Sequence, residues 1–487
     1  MIMTQEKEFL KAQKHTERLI ALVREAIEQG RRIDEVEKDL FAELLQLGFT
    51  LLTGFVQGHG PGDVGATTVD KDGALCKRLP DKHTRRYVSI FGELAIERFV
   101  YGTREGQKFT ALPLDQRLGL PASDFSYLLE DWAQRLCLKE AFGETQQSLA
   151  ALLGIQMSVR SLEAMNQRVA KFSDRFRDQQ PQPPAEEEAA ILVVTADGKG
   201  VPMRRPLEER VRGHHRRKKG EKANKKQMSY VGAVYTIAPF VRTAKDVIDE
   251  VFRRERAQDR PKPRHKRVRV EMTQKLEGEE VQNGKETLFA LLSDDVVRRN
   301  RGHRRPLVCL LDGEKALWDR RAEYFPQAIG VLDLYHVMER LWLAAHAWHA
   351  EGSDGAEKFV TDRLQLLLEG KVTEVIGGLR RRLRTHEVSK EKKRTVHSVI
   401  GYFQNNRAHM RYDEYMAAGY PIGSGVVEGA CRHVVKDRME QSGMRWTVAG
   451  AQALLDTRSI YLNGNWTEFM NCRIAIEQAQ LYGQIAM

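Results

Sequence analysis

Cysteine is scarce in this chain of 487 residues, and no two cysteines stand in a C-x-x-C pair. An odd count at low density argues against a disulfide framework and against a zinc site built on cysteine pairs. We therefore expect free thiols in a reducing compartment. The five are Cys76, Cys137, Cys309, Cys431 and Cys472.

Long apolar runs are also missing, because no run approaches the roughly 20 residues that span a bilayer. The N-terminal stretch, MIMTQEKEFLKAQKHTERL, is charged throughout and lacks the apolar region of a signal peptide. No internal repeat is evident. These absences favour a soluble protein with no membrane partner, and we expect a cytoplasmic, nucleoid-associated location in a bacterium.

Positive charge is what the chain has in excess. Lys and Arg number 78 against 67 Asp and Glu, which gives a formal net charge of +11. Hydrophobic residues make up 41% of the chain, enough to build cores, and roughly 100–200 residues per domain predicts two to four domains. The charge surplus suits nucleic acid, although a merely basic soluble enzyme has the same balance.

The N-terminal third is typical of helices interrupted by one β-hairpin. Apolar residues recur at helical spacing through 5–55, and residues 86–102 resemble two strands joined at Gly92-Glu93. Residues 125–173 are helical again in pattern.

Within that helical stretch, residues 148–169 have two apolar helical segments that flank Gly154, and Ser158 is a cap for the second. This is the outline of a helix-turn-helix, whose second helix lies in a DNA major groove. Any short helical hairpin has the same outline, so both interpretations stay open.

The segment DQQPQPPAEEEAA, at 178–190, is the clearest linker in the chain, since proline stiffens it and the acidic run keeps it solvated. After it, strand-like and helix-like segments are mixed, which indicates an α/β domain. The strand-like segments are Ile191–Val194, 227–238, a short apolar run that opens 306–319, and the start of 328–348, which then turns into a helix; residues 338–412 are almost entirely helical in pattern.

Two aspartates each follow an apolar strand and precede a glycine. They are Asp197, in ILVVTAD, and Asp312, in LVCLLDG. A carboxylate at a strand end is rigidly held with its oxygens towards a cleft, so two on neighbouring strands suit divalent cations. Asp-Gly is also a common turn, which is the competing interpretation.

A third acidic residue follows a glycine-rich loop. In PIGSGVVEGACRHVVKDRM the loop becomes a helix, and Glu428 lies in its first turns. Cations follow it, which fits a metal ion near a phosphate backbone. The glycines are equally suited to capping a helix that carries an ordinary surface glutamate.

Three segments together resemble the catalytic core of insertion-sequence transposases of the ISKra type, relatives of the Mutator-like enzymes, with a ribonuclease-H-like α/β fold and a D, D, E triad. They are VVTADGKGVPM, LVCLLDGEKALWD and PIGSGVVEGACRHVVKDRM with MRW. In VLDLYHVMERLW, Asp333 and His336 resemble the D-x-x-H element of this superfamily. The resemblance spans about residues 90–466.

The resemblance implies that Asp197, Asp312 and Glu428 hold two Mg²⁺ ions, with Mn²⁺ as a substitute, for two-metal cleavage and transfer of DNA strands. The intervals between the three are 115 and 116 residues, and the second implies a helical insertion. The implied segments are an N-terminal helical segment (1–57), a hairpin with a helical DNA-binding region (84–177), a linker (178–190), the core's first part (191–337), a helical insertion (338–419) and the core's last part with C-terminal helices (420–487).

Other residues complete the predicted site. Asp333, His336 and His433 are auxiliary candidates, although a histidine satisfied by a local carboxylate explains the first two equally well. Three basic tracts, at 204–226, 260–269 and 298–305, favour a DNA track over a solvated face. The predicted DNA-binding side chains are Arg216, Arg217, Lys218, Lys219, Arg432, Lys436, Arg438, Arg445 and Trp446.

The predicted partner is double-stranded DNA, as terminal inverted repeats and as target, bound by a homodimer or larger assembly. Two alternatives keep the DNA but change the chemistry: a nuclease or resolvase of the same fold without strand transfer, and a domesticated DNA-binding protein without catalysis. A basic structural or RNA-binding protein is a third, and it leaves the three motifs unexplained.

Overall fold

The computed structural model describes residues 2–103, 109–204, 226–254, 259–276, 279–441 and 443–483. It divides the chain into two compact units. One consists of Met1–Phe176 with Trp466–Met487, and the other of Arg177–Asn465.

The first unit is mainly helical with short strands. Its elements are α1 (Ile2–Glu28), α2 (Ile33–Gly58), β1 (Thr67–Val69), β2 (Leu75–Arg78), β3 (His83–Ser89), β4 (Gly92–Arg98), β5 (Tyr101–Gly102), α3 (Pro113–Leu118), α4 (Tyr127–Cys137), α5 (Phe142–Leu153), α6 (Val159–Ala170) and α7 (Ser173–Gln179), the last of which runs into the second unit.

Helix α2 is the longest apolar segment of this unit. By length and composition alone it is apolar enough to cross a membrane, although charged and polar residues interrupt its apolar stretch. In the fold, one of its faces packs on the β3–β4 hairpin, where Phe49, Leu52 and Val56 join a small core around Leu94 and Ile96. That hairpin was predicted, and its turn falls at residues 90–91, just before the predicted Gly92-Glu93.

The predicted helical pair at 148–169 is present as α5 and α6. Gly154 ends α5 in the left-handed conformation at φ 68°, which glycine adopts without strain. The Ser158 hydroxyl accepts a hydrogen bond from the Ser161 backbone N–H at 3.0 Å and caps α6, as expected. Leu162 and Met165 are buried, whereas Arg160 is exposed on the opposite face.

The C-terminal helix, Trp466–Tyr482, belongs to the first unit, whereas the predicted segment 420–487 included it in the last part of the core. The Trp466 indole donates a hydrogen bond to Asp131 at 2.6 Å. Arg473 and Glu130 form an ion pair in which both side chains are fully buried. These long-range contacts leave no trace in the local sequence pattern.

The second unit is mixed α/β. Its further elements are β6 (Ile191–Pro202), β7 (Lys226–Ile237), α8 (Ala244–Val251), β8 (Arg264–Met272), β9 (Gln274–Leu276), β10 (Glu279–Gln282), α9 (Gly284–Arg299), β11 (Leu307–Leu311), α10 (Lys315–Tyr324), β12 (Ile329–Leu332), α11 (Leu334–Ala345), α12 (Asp354–Leu368), α13 (Val372–Thr385), α14 (Lys390–Asn406), α15 (Tyr412–Ala417), α16 (Gly425–Ala430), α17 (Asp437–Met439) and α18 (Val448–Leu462).

A five-stranded sheet, in the order β12-β11-β6-β7-β8, organises this unit. Strands β6, β11 and β12 are parallel, whereas β7 and β8 are antiparallel to their neighbours. One face packs on α9 and α10 through residues such as Leu288, Leu292 and Leu317. The parallel strands read as continuous apolar runs because both of their faces are covered.

One prediction for this unit needs correction, and two others gain local detail. Strand β6 does not end at Asp197 but continues to Pro202, pairing with β7 throughout. The basic tract at 260–269 contributes most of strand β8, in which Arg267 forms an ion pair with Asp295 at 2.6 Å, and DNA contact by the tract stays a prediction. The segment 178–190 is largely exposed, as expected of a linker, but the Glu188 side chain is buried beside Arg299.

The expected helical block between β12 and Glu428 is confirmed. It contains α11 to α15 and a short 3₁₀ turn, Arg407–His409. After it, α16 continues into a π-helical turn, Cys431–Lys436, and then into α17. Such π-helical turns occur frequently at functional sites, since the extra residue redirects side chains.

Candidate metal centre

The carboxyl ends of the three parallel strands bring acidic residues together. Leu311 of β11 is in register with Ala196 of β6, so Asp312 and Asp197 follow at neighbouring positions. Leu332 of β12 is in register with Leu311, which places Asp333 on the other side of Asp312. The parallel pairing of β6 stops before Asp197, so its side chain still lies at this edge although the strand continues.

Asp333, His336 and Glu428 form a closer group, in which one ligand atom from each residue lies within 4.8 Å of the others. Asp333 is the N-cap of α11 and is fully buried. It accepts hydrogen bonds from the Tyr335 N–H at 3.0 Å, from His336 Nδ1 at 3.2 Å and from the Ser424 N–H at 3.2 Å. The Ser424 hydroxyl also donates to it.

Asp333 therefore has a structural task that the sequence did not reveal. It joins the start of α11 to Ser424, the N-cap of the helix that carries Glu428. Asp333 lies beside Asp312 at the strand ends and forms one group with Glu428, so it is a candidate metal ligand as well as an auxiliary residue.

The electrostatics of this edge show uncompensated negative charge. Burial, and after it the neighbouring charge of Asp197, raises the pKa of Asp312 above its ordinary value. Burial, and after it Asp333, raises the pKa of Glu428. Crowded carboxylates with raised pKa values are favourable for divalent cations, which relieve their repulsion.

His336 is the cation within this group. Its hydrogen bond to Asp333, together with the charges of Asp312 and Asp197, raises its pKa to about 9. The ring is protonated at neutral pH in the metal-free protein and offsets part of the carboxylate charge. The expectation that Asp333 and His336 are close together is confirmed.

Two residues that the sequence reading missed support the aspartates. The Cys431 thiol donates to Asp197 Oδ2 at 3.4 Å, and burial, then Asp197, raises the pKa of this thiol, which stays protonated. Cys431 comes three residues after Glu428, so helical spacing alone placed it on the same side. Tyr402, in α14, packs against Gly313, and no local signal pointed to it.

Hydrogen bonds and a stacked ring pair fix the backbone around Asp312. The Trp318 indole donates to the Asp312 carbonyl at 2.7 Å, and the Glu314 N–H donates to the Asp312 carboxylate at 2.8 Å. His409 stacks on Trp318 with ring centroids 3.7 Å apart. A side chain at position 313 would collide with the Tyr402 ring, so glycine is required there.

The predicted DNA-binding side chains divide into three groups. In the first group, Arg432, Lys436 and Arg445 are exposed. The auxiliary candidate His433 is exposed as well, and its Nδ1 lies 3.0 Å from Asp437 Oδ2. Arg216, Arg217, Lys218 and Lys219 lie outside the described residues.

Arg438 and Trp446 form the third group and are corrected, because both are buried. The Arg438 guanidinium lies 5.2 Å from the Trp446 ring centroid, and the indole donates to the Met439 carbonyl at 3.0 Å. Trp446 also pairs its backbone with the end of β6. This pair is part of a core, so the prediction that Arg438 and Trp446 bind DNA is wrong.

Comparison of the chain with protein-family models finds no matching family, and comparison with curated proteins finds no matching relative.

Proposed function

We propose that this protein is a DNA transposase that binds terminal inverted repeats and cleaves and transfers DNA strands with divalent metal ions. The observation that carries the proposal is the convergence of Asp197 and Asp312, from neighbouring parallel strands, with the group of Asp333, His336 and Glu428. The sequence resemblance to D, D, E transposases adds to it and rests on the same residues.

The sheet supports a ribonuclease-H-like core. Taken in chain order, its five strands lie as third, second, first, fourth and fifth, and only the second runs antiparallel to the first. The first and fourth strands carry Asp197 and Asp312 at one edge. Ligand sites in open α/β sheets commonly form at the carboxyl ends of the strands, where the strand order reverses.

The donor set fits Mg²⁺. The site offers carboxylate oxygens, the hard ligands that Mg²⁺ and Mn²⁺ prefer. Burial first, and then the charge of neighbouring carboxylates, raises the pKa of Asp312 and of Glu428, and a bound cation would stabilise the charged form of both. We assign Asp197, Asp312 and Glu428 as ligands. When bound, two metal ions would activate a water or a DNA 3′-hydroxyl and stabilise the leaving oxygen.

The chain's own residues position the reacting groups. Asp333 orients His336 through a 3.2 Å hydrogen bond and fixes the start of the Glu428 helix through Ser424. Arg432, Lys436 and Arg445 are exposed along and after that helix and supply phosphate contacts. Because two DNA ends must be joined, we propose that a homodimer or larger assembly acts.

The test is metal-dependent cleavage of the DNA that flanks this gene. We expect the full chain to cut at inverted repeats with Mg²⁺ or Mn²⁺ and to join pre-cleaved ends to a target plasmid. Asp312→Ala should bind the same DNA and cut nothing. Cutting by this variant would refute the assignment, and cutting without joining would establish the nuclease alternative.

A further inference from the structure

A cavity of about 250 Å³ lies in the second unit beside the glycine-rich loop that precedes Glu428. It is smaller than the roughly 300–1,000 Å³ of pockets for drug-sized ligands, so it suits one planar ring system. Its walls are largely aromatic and aliphatic, from residues that include Tyr235, Phe240, Val247, Leu334, Tyr335 and Ile422.

The cavity borders the candidate metal centre. Tyr335, on one wall, directly precedes His336, and Gly423 and Gly425, on another, precede Glu428 in the same loop and helix. A Cβ atom at Gly423 would come 2.9 Å from the Tyr335 ring, so the ring lies directly against this loop. Tyr335 is 37% exposed, which leaves part of its ring available to a ligand.

The glycine-rich loop that lines the cavity is held by backbone contacts with the segment after β7. Gly419 has φ +73°, and a Cβ atom there would come 2.8 Å from the Phe240 backbone nitrogen. The Phe240 N–H donates to the Gly419 carbonyl at 2.9 Å. These contacts join the loop to the segment that follows β7 and preform the cavity.

Arg242 supplies a cation at this cavity. Its side chain is partly buried, and its Nε has no hydrogen-bond partner among the described residues. Its Nη2 donates to the Tyr420 carbonyl at 3.4 Å, which is long for a hydrogen bond. In the described part of the chain no carboxylate forms an ion pair with it, whereas the neighbouring Arg260 is paired with Glu250.

We propose that this cavity binds one nucleobase of the DNA strand next to the scissile phosphate, with Arg242 on the adjoining backbone phosphate. The inference rests on the proposed function for the identity of the strand. Aromatic and apolar walls stack any base, and a guanidinium with spare donors suits a phosphate. A base held there is out of the duplex, as in enzymes that act on unstacked DNA.

The experiment uses the full chain without metal and two fluorescein-labelled pentanucleotides. One carries a single base, a central 2-aminopurine, among abasic positions, and the other is entirely abasic. Stacking contributes about 1–3 kcal/mol per base, so we expect the base-bearing probe to bind roughly tenfold more tightly, with quenched 2-aminopurine fluorescence.

Matched variants locate the binding. Arg242→Ala should weaken binding of both probes about tenfold, whereas Arg394→Ala, which removes an equal charge at an exposed position outside the three basic tracts, should change it less than twofold. Ala238 lines the cavity and is exposed, so Ala238→Trp should fill the mouth and abolish the preference for the base, while Ala238→Ser preserves it.

Equal binding of the two probes, or a preference that survives Ala238→Trp, overturns the inference whatever the cleavage assay gives. A base preference that is lost in Ala238→Trp, in a protein that never cleaves DNA with metal, supports the cavity and overturns the proposed function alone.

Discussion

The central parallel strands have charged side chains at both ends, but these charges are paired differently at the two ends. At the carboxyl end, Asp312 and Glu428 are crowded by other carboxylates, and their pKa values are raised. At the amino end, Arg299 of the 298–305 tract pairs with Glu188, whose pKa lies below its ordinary value. Both ends contain buried charge. Arg299 pairs with Glu188 at the amino end, whereas His336 offsets only part of the carboxylate charge at the carboxyl end.

The amino end is held by a buried, bidentate ion pair. Arg299 donates to Glu188 through Nε at 2.8 Å and through Nη2 at 2.9 Å, and Thr236 donates to the same carboxylate at 2.6 Å. Burial acts to raise the pKa of Glu188, but the hydrogen bonds from Arg299 and Thr236 outweigh it. Arg305 donates to the backbone carbonyls of Ala185 and Ala189.

This difference separates a structural site from the site that we propose to be functional. Complete pairing offsets the cost of burying charge and fixes the segment at 178–190 to the sheet. At the carboxyl end the pKa values of Asp312 and Glu428 are raised by burial and by neighbouring carboxylates, and perturbed carboxylates in a cleft are typical of sites for a cation or a reaction. Substitutions at the two ends should therefore act on different properties.

The largest expected effect is on activity at the carboxyl end. Asp312→Asn should lower metal-dependent DNA cleavage by on the order of 10³-fold, or about 4 kcal/mol of activation free energy. Because the neutral amide removes repulsion with Asp197, stability without metal should be unchanged or higher. Cleavage rates and urea unfolding of the same preparation measure both, and a strongly destabilised variant would contradict the contrast.

At the amino end, Glu188→Ala should lower the stability of the protein and leave DNA cleavage nearly unchanged. It leaves Arg299 buried with only Asp295 nearby, at 3.5 Å, and should lower the free energy of unfolding by about 3 kcal/mol. Cleavage per folded molecule should stay within about twofold of the wild type. Unfolding curves provide the test, with the exposed Glu187→Ala as the matched control. Equal stability of the two variants would show that the buried pair is unimportant.

Mg²⁺ should stabilise the protein only through the carboxyl end. At a concentration one hundred times its dissociation constant, a ligand of the native state adds about 2.7 kcal/mol. We expect the melting temperature to rise with Mg²⁺ in the wild type and in Glu188→Ala, and to stay constant in Asp312→Asn. A rise of equal size in all three would place the binding elsewhere.

The smallest effect concerns the support behind Asp312. Burial, with Arg321 nearby, lowers the pKa of His409 to about 4, so the folded protein resists its protonation. The unfolded chain takes up that proton near pH 6.5, and stability is therefore present above pH 6.5 and lost as pH falls towards 4. Since the ring is partly exposed, the loss between pH 7 and pH 5 should be about 1 kcal/mol.

Thermal unfolding at the two pH values measures this loss, and His409→Gln, which cannot titrate, should show less of it. A wild type and variant with the same pH dependence would exclude His409 as the cause.

The sequence predicted the local elements well, because strand and helix patterns depend on neighbouring residues. The apolar run at Ile191–Val194 and the one that opens 306–319 lie in strands β6 and β11, and the predicted helical block follows β12. Asp197, Asp312 and Glu428 were chosen from their local settings and from the resemblance, and the fold brings all three to one region of the second unit.

What the sequence missed depends on contacts between distant residues. The acidic run containing Glu188 looked solvated because its partner, Arg299, comes 111 residues later. Arg438 and Trp446 looked like surface residues because their partners lie in a turn and at the end of β6. Tyr402 and the wall residue Arg242 had no local pattern to mark them.

A metal-specificity switch at Asp312 tests the central claim most directly. The full chain should cleave its flanking DNA with either Mg²⁺ or Mn²⁺. Asp312→Cys replaces a hard oxygen ligand with a softer sulfur, so it should be inactive with Mg²⁺ and recover cleavage with Mn²⁺. Cleavage by Asp312→Cys with Mg²⁺ at the wild-type rate would show that Asp312 does not bind the catalytic metal, and would contradict the account.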